Sequence, residues 1–391
     1  MARPRLMILS FSVLDGDPRV LKQIAMFRDE YEIVSVGYGP RPQGVAEHIE
    51  VPRSIDPLRP SFRHLMLLLA LRRYHRAYFG SRRVRFVQES VRPGSMDVIL
   101  ANDVIAVPLA LSLAPGCGVH ADLHEYASRQ REEERWWRTL VGPFQAWMVR
   151  NYVARASSVT TVSPGLAAEY SREFDVPAEV VPNAAPYHET EAPTSVGSPI
   201  RLVHMGGSVR GRALREMIEA VIITSEREPG RFTLDLYLKG GEKAYEDQLK
   251  EMVASDRAAA VNWRDPVRVD RIVQTLAAYD VGLIVYPPTN FNIVHALPNK
   301  LYDYIQARLG VVVGPGADMK DLVESAGCGL AVTGTRPEQI AEALLATTNE
   351  QILGWKLASH QHADRLSAER SSLPWSAAIR TLIESGRSVS R

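Results

Sequence analysis

RLMILSFSVLDGDPRVLKQIAMFRD (residues 5–29), followed by YEIVSVGYG (31–39), decides the fold class. The run from Leu6 to Leu9 is short and wholly apolar, as expected of a strand covered on both faces. Asp17 and Pro18 then mark a helix start. A carboxylate can accept from first-turn N–H groups, and proline has no N–H to leave unpaired there. Val20, Ile24 and Phe27 recur at helical spacing. Another apolar strand follows. Strand, helix and strand in that order imply an α/β protein with a parallel sheet.

The alternation continues outward from this unit. DVILAND (97–103), GVHADLHEY (118–126), SSVTTVSPG (157–165) and AEVVPNA (178–184) are strand-like, with helical patterns such as LAAEYSREF (166–174) between them. It stops at AAPYHETEAPTSVGSP (184–199), whose Pro, Ser, Thr and Glu suggest a linker. It restarts with IRLVHMGG (200–207), FTLDLYLKGG (232–241), VNWRDPV (261–267), VGLIVYPP (281–288) and LGVVVGPG (309–316), each followed by a helical pattern. This predicts two doubly wound, Rossmann-like domains, 1–185 and 198–373, with a helical segment, 374–391, after them. Sheets of this kind bind ligands at the carboxyl ends of their strands. A cleft between two such domains suits a ligand with two parts.

The 391 residues exceed one ordinary core, which also favours two domains. A net charge of +1 gives no global attraction to nucleic acid. Two cysteines, Cys117 and Cys328, exclude a disulfide scaffold and a cysteine-based zinc cluster, and a reducing cytoplasm fits. The N-terminus resembles a signal peptide only superficially. Its apolar run lacks a small-residue cleavage site and meets Asp15, Asp17 and Pro18. LMLLLAL (65–71) is too short to cross a bilayer. No P-loop, no G-x-G-x-x-G after the first strand, no H-E-x-x-H and no G-x-S-x-G occurs.

Two strand-to-helix turns in the second half carry cations. In HALPNKLYDYIQA (295–307), Pro298 should open a helix with Asn299 and Lys300 in its first turn. A lysine there sits at the positive pole of the macrodipole. Either an anion binds between the lysine and the unpaired N–H groups, or Lys300 faces solvent or pairs with Asp303. In HMGGSVRGRALREMI (204–218), Gly206 and Gly207 let backbone approach a ligand, with Arg210 and Arg212 beside the turn. Such a loop can cradle phosphate. Two such turns in one domain favour a diphosphate.

These motifs, with DPRVLKQ (17–23), DLHEY (122–126), TVSPGLAAEY (161–170) and VVVGPGADMKDLVESAGCGLAV (311–332), resemble family 4 glycosyltransferases in order and spacing over nearly the whole chain. The resemblance implies the GT-B fold. It implies a retaining transfer of a hexosyl unit from a nucleotide-sugar donor, UDP-sugar favoured, with no metal and no resident cofactor. The donor would sit on the C-terminal domain and the acceptor on the N-terminal one, and the last helix would cross back to the N-terminal domain. Arg212 and Lys300 would hold the diphosphate, with Asn299 positioning the turn. Asp303 stands where the family has a glutamate on the ribose, and His295 where many relatives have one near the donor sugar. Arg308 and Gly310 replace a small residue and a proline common there. His124 would lie near the reaction centre, unless it is structural. Gly16 would admit backbone to the donor. Asp17, Arg19 and Glu125 would face the acceptor, though Asp17 and Glu125 could instead cap helices.

Residues 53–85 hold nine arginines against Asp56 alone, and HLMLLLALRRYHRAYF (64–79) mixes them with leucines and aromatic residues. Such a segment could lie on an anionic membrane or be a core helix with a basic face. RWWRTLVGPFQAWMV (135–149) adds aromatics that could stack on sugars, contact lipid or pack. The resulting expectation is a cytoplasmic glycosyltransferase of polysaccharide biosynthesis that could sit peripherally at the inner face of the membrane. Its acceptor would be a glycan, a lipid-linked sugar or a small molecule. The alternatives are a nucleotide-sugar 2-epimerase of similar fold and an inactive scaffold that binds a glycan or a partner.

Overall fold

The computed structural model describes residues 3–55 and 62–389. Asp56 and Arg59 of the basic segment lie outside the described residues, as do Ser390 and Arg391. The described residues form two sheets, and every strand pairing in them is parallel. The first contains β1 (Arg5–Val13), β2 (Glu32–Tyr38), β3 (Glu47–Glu50), β4 (Val98–Asn102), β5 (Gly118–Leu123), β6 (Ser158–Thr161) and β7 (Glu179–Val180). Its order is β3-β2-β1-β4-β5-β6-β7. The second contains β8 (Ile200–Ser208), β9 (Phe232–Gly241), β10 (Val261–Arg264), β11 (Val281–Ile284), β12 (Gly310–Val313) and β13 (Gly329–Ala331), in the order β10-β9-β8-β11-β12-β13.

β1 shows why the first sheet is central to its unit. Met7 and Leu9 join the core on one face, and Leu6 and Ile8 join the core on the other. None of the four is exposed. In β8 and β11 the same alternation sends Leu202 and Leu283 to one core and Val203 and Ile284 to another. Helices therefore cover both faces of both sheets, as their apolar strands require. The helix after β1, Pro18–Phe27, begins with Pro18 and is capped by Asp17, whose Oδ1 accepts from the N–H groups of Arg19 (3.0 Å) and Val20 (3.3 Å). Asp17, expected to face an acceptor, is thus engaged as a helix cap.

The chain divides into two compact units. One takes Met1–Pro182, Asn290–Asn292 and Ser372–Arg391; the other takes Asn183–Thr289 and Ile293–Ser371. The helix Leu373–Val389 covers the first sheet with Trp375, Ile379, Leu382 and Ile383. The stretch expected to be a linker is fastened to the second unit. His188 N–H donates to Gln306 Oε1 (3.0 Å), and its carbonyl accepts from Arg308 Nη2 (2.7 Å). The carbonyl of Ser195 accepts from Lys356 Nζ (3.2 Å). Arg308 is buried at φ +63°, also donates to the Gln306 carbonyl (2.7 Å) and to His360 Nδ1 (3.1 Å), and so holds this strap against the helix Asn299–Gln306. Side-chain partners far along the chain, not composition, decide how the segment behaves.

The aromatic run 135–149 divides. Phe144 and Trp147 stack (centroids 6.0 Å apart, planes at 12°) and pack with Tyr74. Trp136 stays at the surface.

Candidate functional site

In the second unit the strand ends gather cations around one ring. The helix Asn299–Gln306 takes Pro298 as its cap residue, not as its first residue, so Asn299 and Lys300 are its first two positions. No side chain caps this terminus and its first turn holds no acid, which leaves its leading N–H groups available to an anion. Lys300 Nζ lies 5.7 Å from the centroid of Tyr286, and the Arg212 guanidinium stacks over the same ring at 4.2 Å. Among the described residues no carboxylate is within ion-pair distance of either cation. Asp303, three residues on, favours the Lys300 ammonium electrostatically.

His204 holds the lysine. Its Nδ1 is 2.8 Å from the Leu283 carbonyl, and its Nε2 is 3.2 Å from Lys300 Nζ. A carbonyl only accepts, so Nδ1 carries the proton and Nε2 offers its lone pair to the ammonium. Burial and the Lys300 charge keep the imidazole neutral by pushing its pKa well below 6.5. Burial, and then Arg212, push the Lys300 ammonium down to about 7. A Cβ at Gly206 would run into Lys300 Nζ, so the glycine leaves room for it. Gly207 meets no such constraint: its nearest neighbour would be Val209 at 3.5 Å. Arg210, beside them, is exposed and pairs with Glu242 (3.3 Å).

His295 is half-buried and bonded through Nδ1 to Asp318 Oδ1 at 3.0 Å. The structure therefore gives the position where a glutamate was expected an imidazole with a carboxylate behind it. Asn299 is exposed at the helix start. At Gly310 a Cβ would press on Trp355 (3.0 Å), a packing reason for glycine there.

In the first unit the strand ends of β4 and β5 build a second cluster. Asp122 is fully buried, and both its oxygens accept from Arg19, Oδ2 from Nε and Oδ1 from Nη2, each at 2.6 Å. Thr160 Oγ1 (2.7 Å), Gln23 Nε2 (2.9 Å) and Trp375 Nε1 (3.2 Å) also donate to it. The Arg19 guanidinium stacks on Trp375 (4.6 Å) and donates to the Val181 carbonyl (2.9 Å). Arg19 was expected to reach an acceptor. It is instead 2% exposed and committed to Asp122, because a buried carboxylate needs a hydrogen-bonded cation.

His124, two residues on, is half-buried beside this pair. Its Nε2 donates to Asn102 Oδ1 (3.2 Å) and lies 3.5 Å from Asp122 Oδ2; its Nδ1 is 3.6 Å from Asp103 Oδ2. Burial disfavours its charged form, but Asp103 and Asp122 outweigh burial and raise its pKa above 6.5. Asp103 sits at φ +68°, a region uncommon for a residue with a side chain. Such strain at a strand end is typical of positions under functional constraint. Gly16 ends a short turn after β1, and a Cβ there would meet nothing within 4 Å. Glu125 is half-buried beside the tightly packed Tyr126. Among the described residues no set of three His, Cys, Asp or Glu side chains could hold a metal ion.

Sequence reasoning missed His204, Tyr286, Asp103 and the depth of Asp122. A histidine in an apolar strand, two residues before a Gly-Gly pair, was the available signal for His204.

The strand orders and unit composition now allow comparison with solved structures. A UDP-forming α,α-trehalose-phosphate synthase from Burkholderia vietnamiensis superposes with a TM-score of 0.70 at 11% identity, covering 98% of this chain and 100% of its own. HepE from Anabaena, bound to UDP and glucose, gives 0.68 at 15%, covering 97% and 100%. Sucrose-phosphate synthase from Thermosynechococcus elongatus gives 0.65 at 12%, covering 98% and 100%. The fold is GT-B. No family model and no curated protein matches the sequence. At such low identities the GT-B fold is what these proteins share with this chain.

Proposed function

We propose that this GT-B chain is a retaining glycosyltransferase that uses a nucleotide-sugar donor. The observation that carries this reading is the pair Arg212 and Lys300. Two cations lie within 6 Å of one tyrosine ring, next to an uncapped helix start, and among the described residues no carboxylate is ion-paired with either. Like charges held this close cost free energy in the empty protein, and a diphosphate between them removes that cost. UDP is the first nucleotide to test, because HepE is bound to it and the trehalose-phosphate synthase is described as UDP-forming.

In this reading the donor's sugar–phosphate bond breaks as the acceptor oxygen bonds to the same face of the anomeric carbon. The acceptor proton passes to the leaving phosphate. Lys300, Arg212 and the helix N–H groups stabilise the charge that grows there. Asp303 serves the ribose and His295, backed by Asp318, the donor sugar. His124 serves the sugar on the other side of the reaction, held in orientation by Asn102, Asp103 and Asp122. The acceptor is a glycan, a lipid-linked sugar or a small molecule.

The test is a thermal-shift screen of the purified chain against UDP, GDP, ADP and their sugars. A ligand that binds only the folded state at a hundred times its Kd adds about 2.7 kcal/mol. One nucleotide should raise the melting temperature, and transfer or slow hydrolysis of its sugar should follow. No shift with any nucleotide at millimolar concentration would remove this reading in favour of an inactive scaffold.

Lys300 also makes binding depend on pH. The empty protein holds the amine at about 7, so between 7 and its ordinary value of 10.5 the unfolded chain binds more protons than the folded one. The empty protein's stability contribution from this group therefore rises with pH across that window and is at its lowest below 7. A bound diphosphate favours the ammonium and draws the proton back. Nucleotide affinity should therefore weaken from pH 7 to pH 9, approaching tenfold per unit. Calorimetry in buffers of different ionisation enthalpy should show proton uptake. A flat affinity over this range would mean that Lys300 does not meet the phosphate.

A further inference from the structure

Among the described residues, no arginine from Arg63 to Arg85 lies within ion-pair distance of a carboxylate. The helix Phe62–Ala70 buries Leu68 and Leu69 and exposes Arg63 and Leu67; Leu71, in the turn that follows, is bonded back to the Leu67 carbonyl (2.9 Å) and is exposed too, four residues further on. Leu67 is 55% and Leu71 60% exposed. The outward stripe of a surface helix is ordinarily polar; here it is leucine.

The end of this helix sets the charges. The N–H of Arg72 donates to the Leu69 carbonyl (3.0 Å) and that of Arg73 to the Leu68 carbonyl (2.8 Å), with Arg72 at φ +55°. Glycine fills this left-handed position without strain, yet arginine occupies it. The turn places Arg72 and Arg73, both exposed, directly beyond Leu71. The stripe is thus apolar in its middle and cationic at both ends. Among the described residues no helix is long and apolar enough to cross a membrane, so contact with a bilayer would be along its surface.

We propose that the stripe of Arg63, Leu67 and Leu71, with Arg72 and Arg73, docks the chain on an anionic lipid bilayer. The guanidinium groups meet headgroup phosphates, and the two leucines enter the acyl boundary. The charges fit any polyanion; the leucines fit only a partner with an apolar phase, and this selects lipid over nucleic acid.

Co-sedimentation of the full chain with vesicles tests this. One set is phosphatidylcholine alone, the other phosphatidylcholine mixed with phosphatidylglycerol. Binding is expected to the mixed vesicles only, weaker in high salt, and about fivefold weaker for each arginine changed to glutamine. Leu67→Gln with Leu71→Gln should weaken it roughly tenfold or more. Arg72→Gly should also weaken it while the melting temperature stays level or rises, since glycine suits φ +55°. Equal binding to both vesicle types would overturn the proposal. So would leucine variants that bind mixed vesicles as well as the parent, or binding to heparin that equals binding to vesicles.

Discussion

Lys300→Met is expected to lower nucleotide affinity and turnover about ten- to hundredfold while the protein melts no lower than the parent. The two effects have opposite signs for one reason. The ammonium sits half-buried beside Arg212 with no paired carboxylate, so removing it relieves a burial and like-charge cost that offsets the lost bond to His204 Nε2. With the donor bound the same ammonium makes a charge-assisted contact worth about 1.5–3 kcal/mol. Methionine keeps the stem's bulk and hydrophobic packing. Isothermal titration with UDP and a thermal melt of the empty protein read the two effects separately. Unchanged UDP affinity would sink the anion-site reading. A large loss of stability would mean that Lys300 is part of the scaffold.

Asp122→Ala is expected to cost about 3–5 kcal/mol of stability, the effect of leaving a buried cation without its partner. Arg19 would keep its contacts to the Val181 carbonyl and Trp375 and lose both 2.6 Å bonds. The double variant Arg19→Met with Asp122→Leu should recover much of this loss, because no stranded charge remains. Urea unfolding of the parent and both variants measures it; equal losses in the single and the double variant would contradict the account. The Arg19 guanidinium outweighs the effect of burial and holds the Asp122 carboxyl well below the usual range. Its stabilisation is therefore complete above about pH 4 and is lost as pH falls through the folded-state value.

Much of the architecture was legible because buried parallel strands have a simple signature. The runs at Leu6–Leu9, Ile33–Val36 and Val311–Val313 are apolar but for Ser35, and all three belong to strands paired on both sides. Arg19 was misread for the opposite reason. Its sequence neighbours, Pro18 and Val20, give no sign of burial, and its partner Asp122 is brought in by a different strand. The fastening of the linker was not legible either, since Arg308, Gln306 and Lys356 lie more than a hundred residues on. Lys300 was legible as a cation in a first turn, but not the imidazole beneath it. Histidine in an apolar strand is a common core residue, and only the 3.2 Å approach of Nε2 to Nζ gives it a second meaning.

The position of Trp375 has a consequence for how the molecule is made. The indole that lies on Arg19 and donates to Asp122 belongs to the helix Leu373–Val389. Every other member of that cluster is translated before the second unit begins. At roughly 5–20 residues per second, translation of the second unit takes about 10–40 seconds. Throughout that interval one face of the nascent first sheet is only partly covered: Val20, Ile24 and Phe27 can pack on Leu6 and Ile8, but Trp375, Ile379 and Ile383 have not yet been made. The first unit to emerge from the ribosome is therefore the last to be finished, and during synthesis its exposed face is a natural client surface for a chaperone.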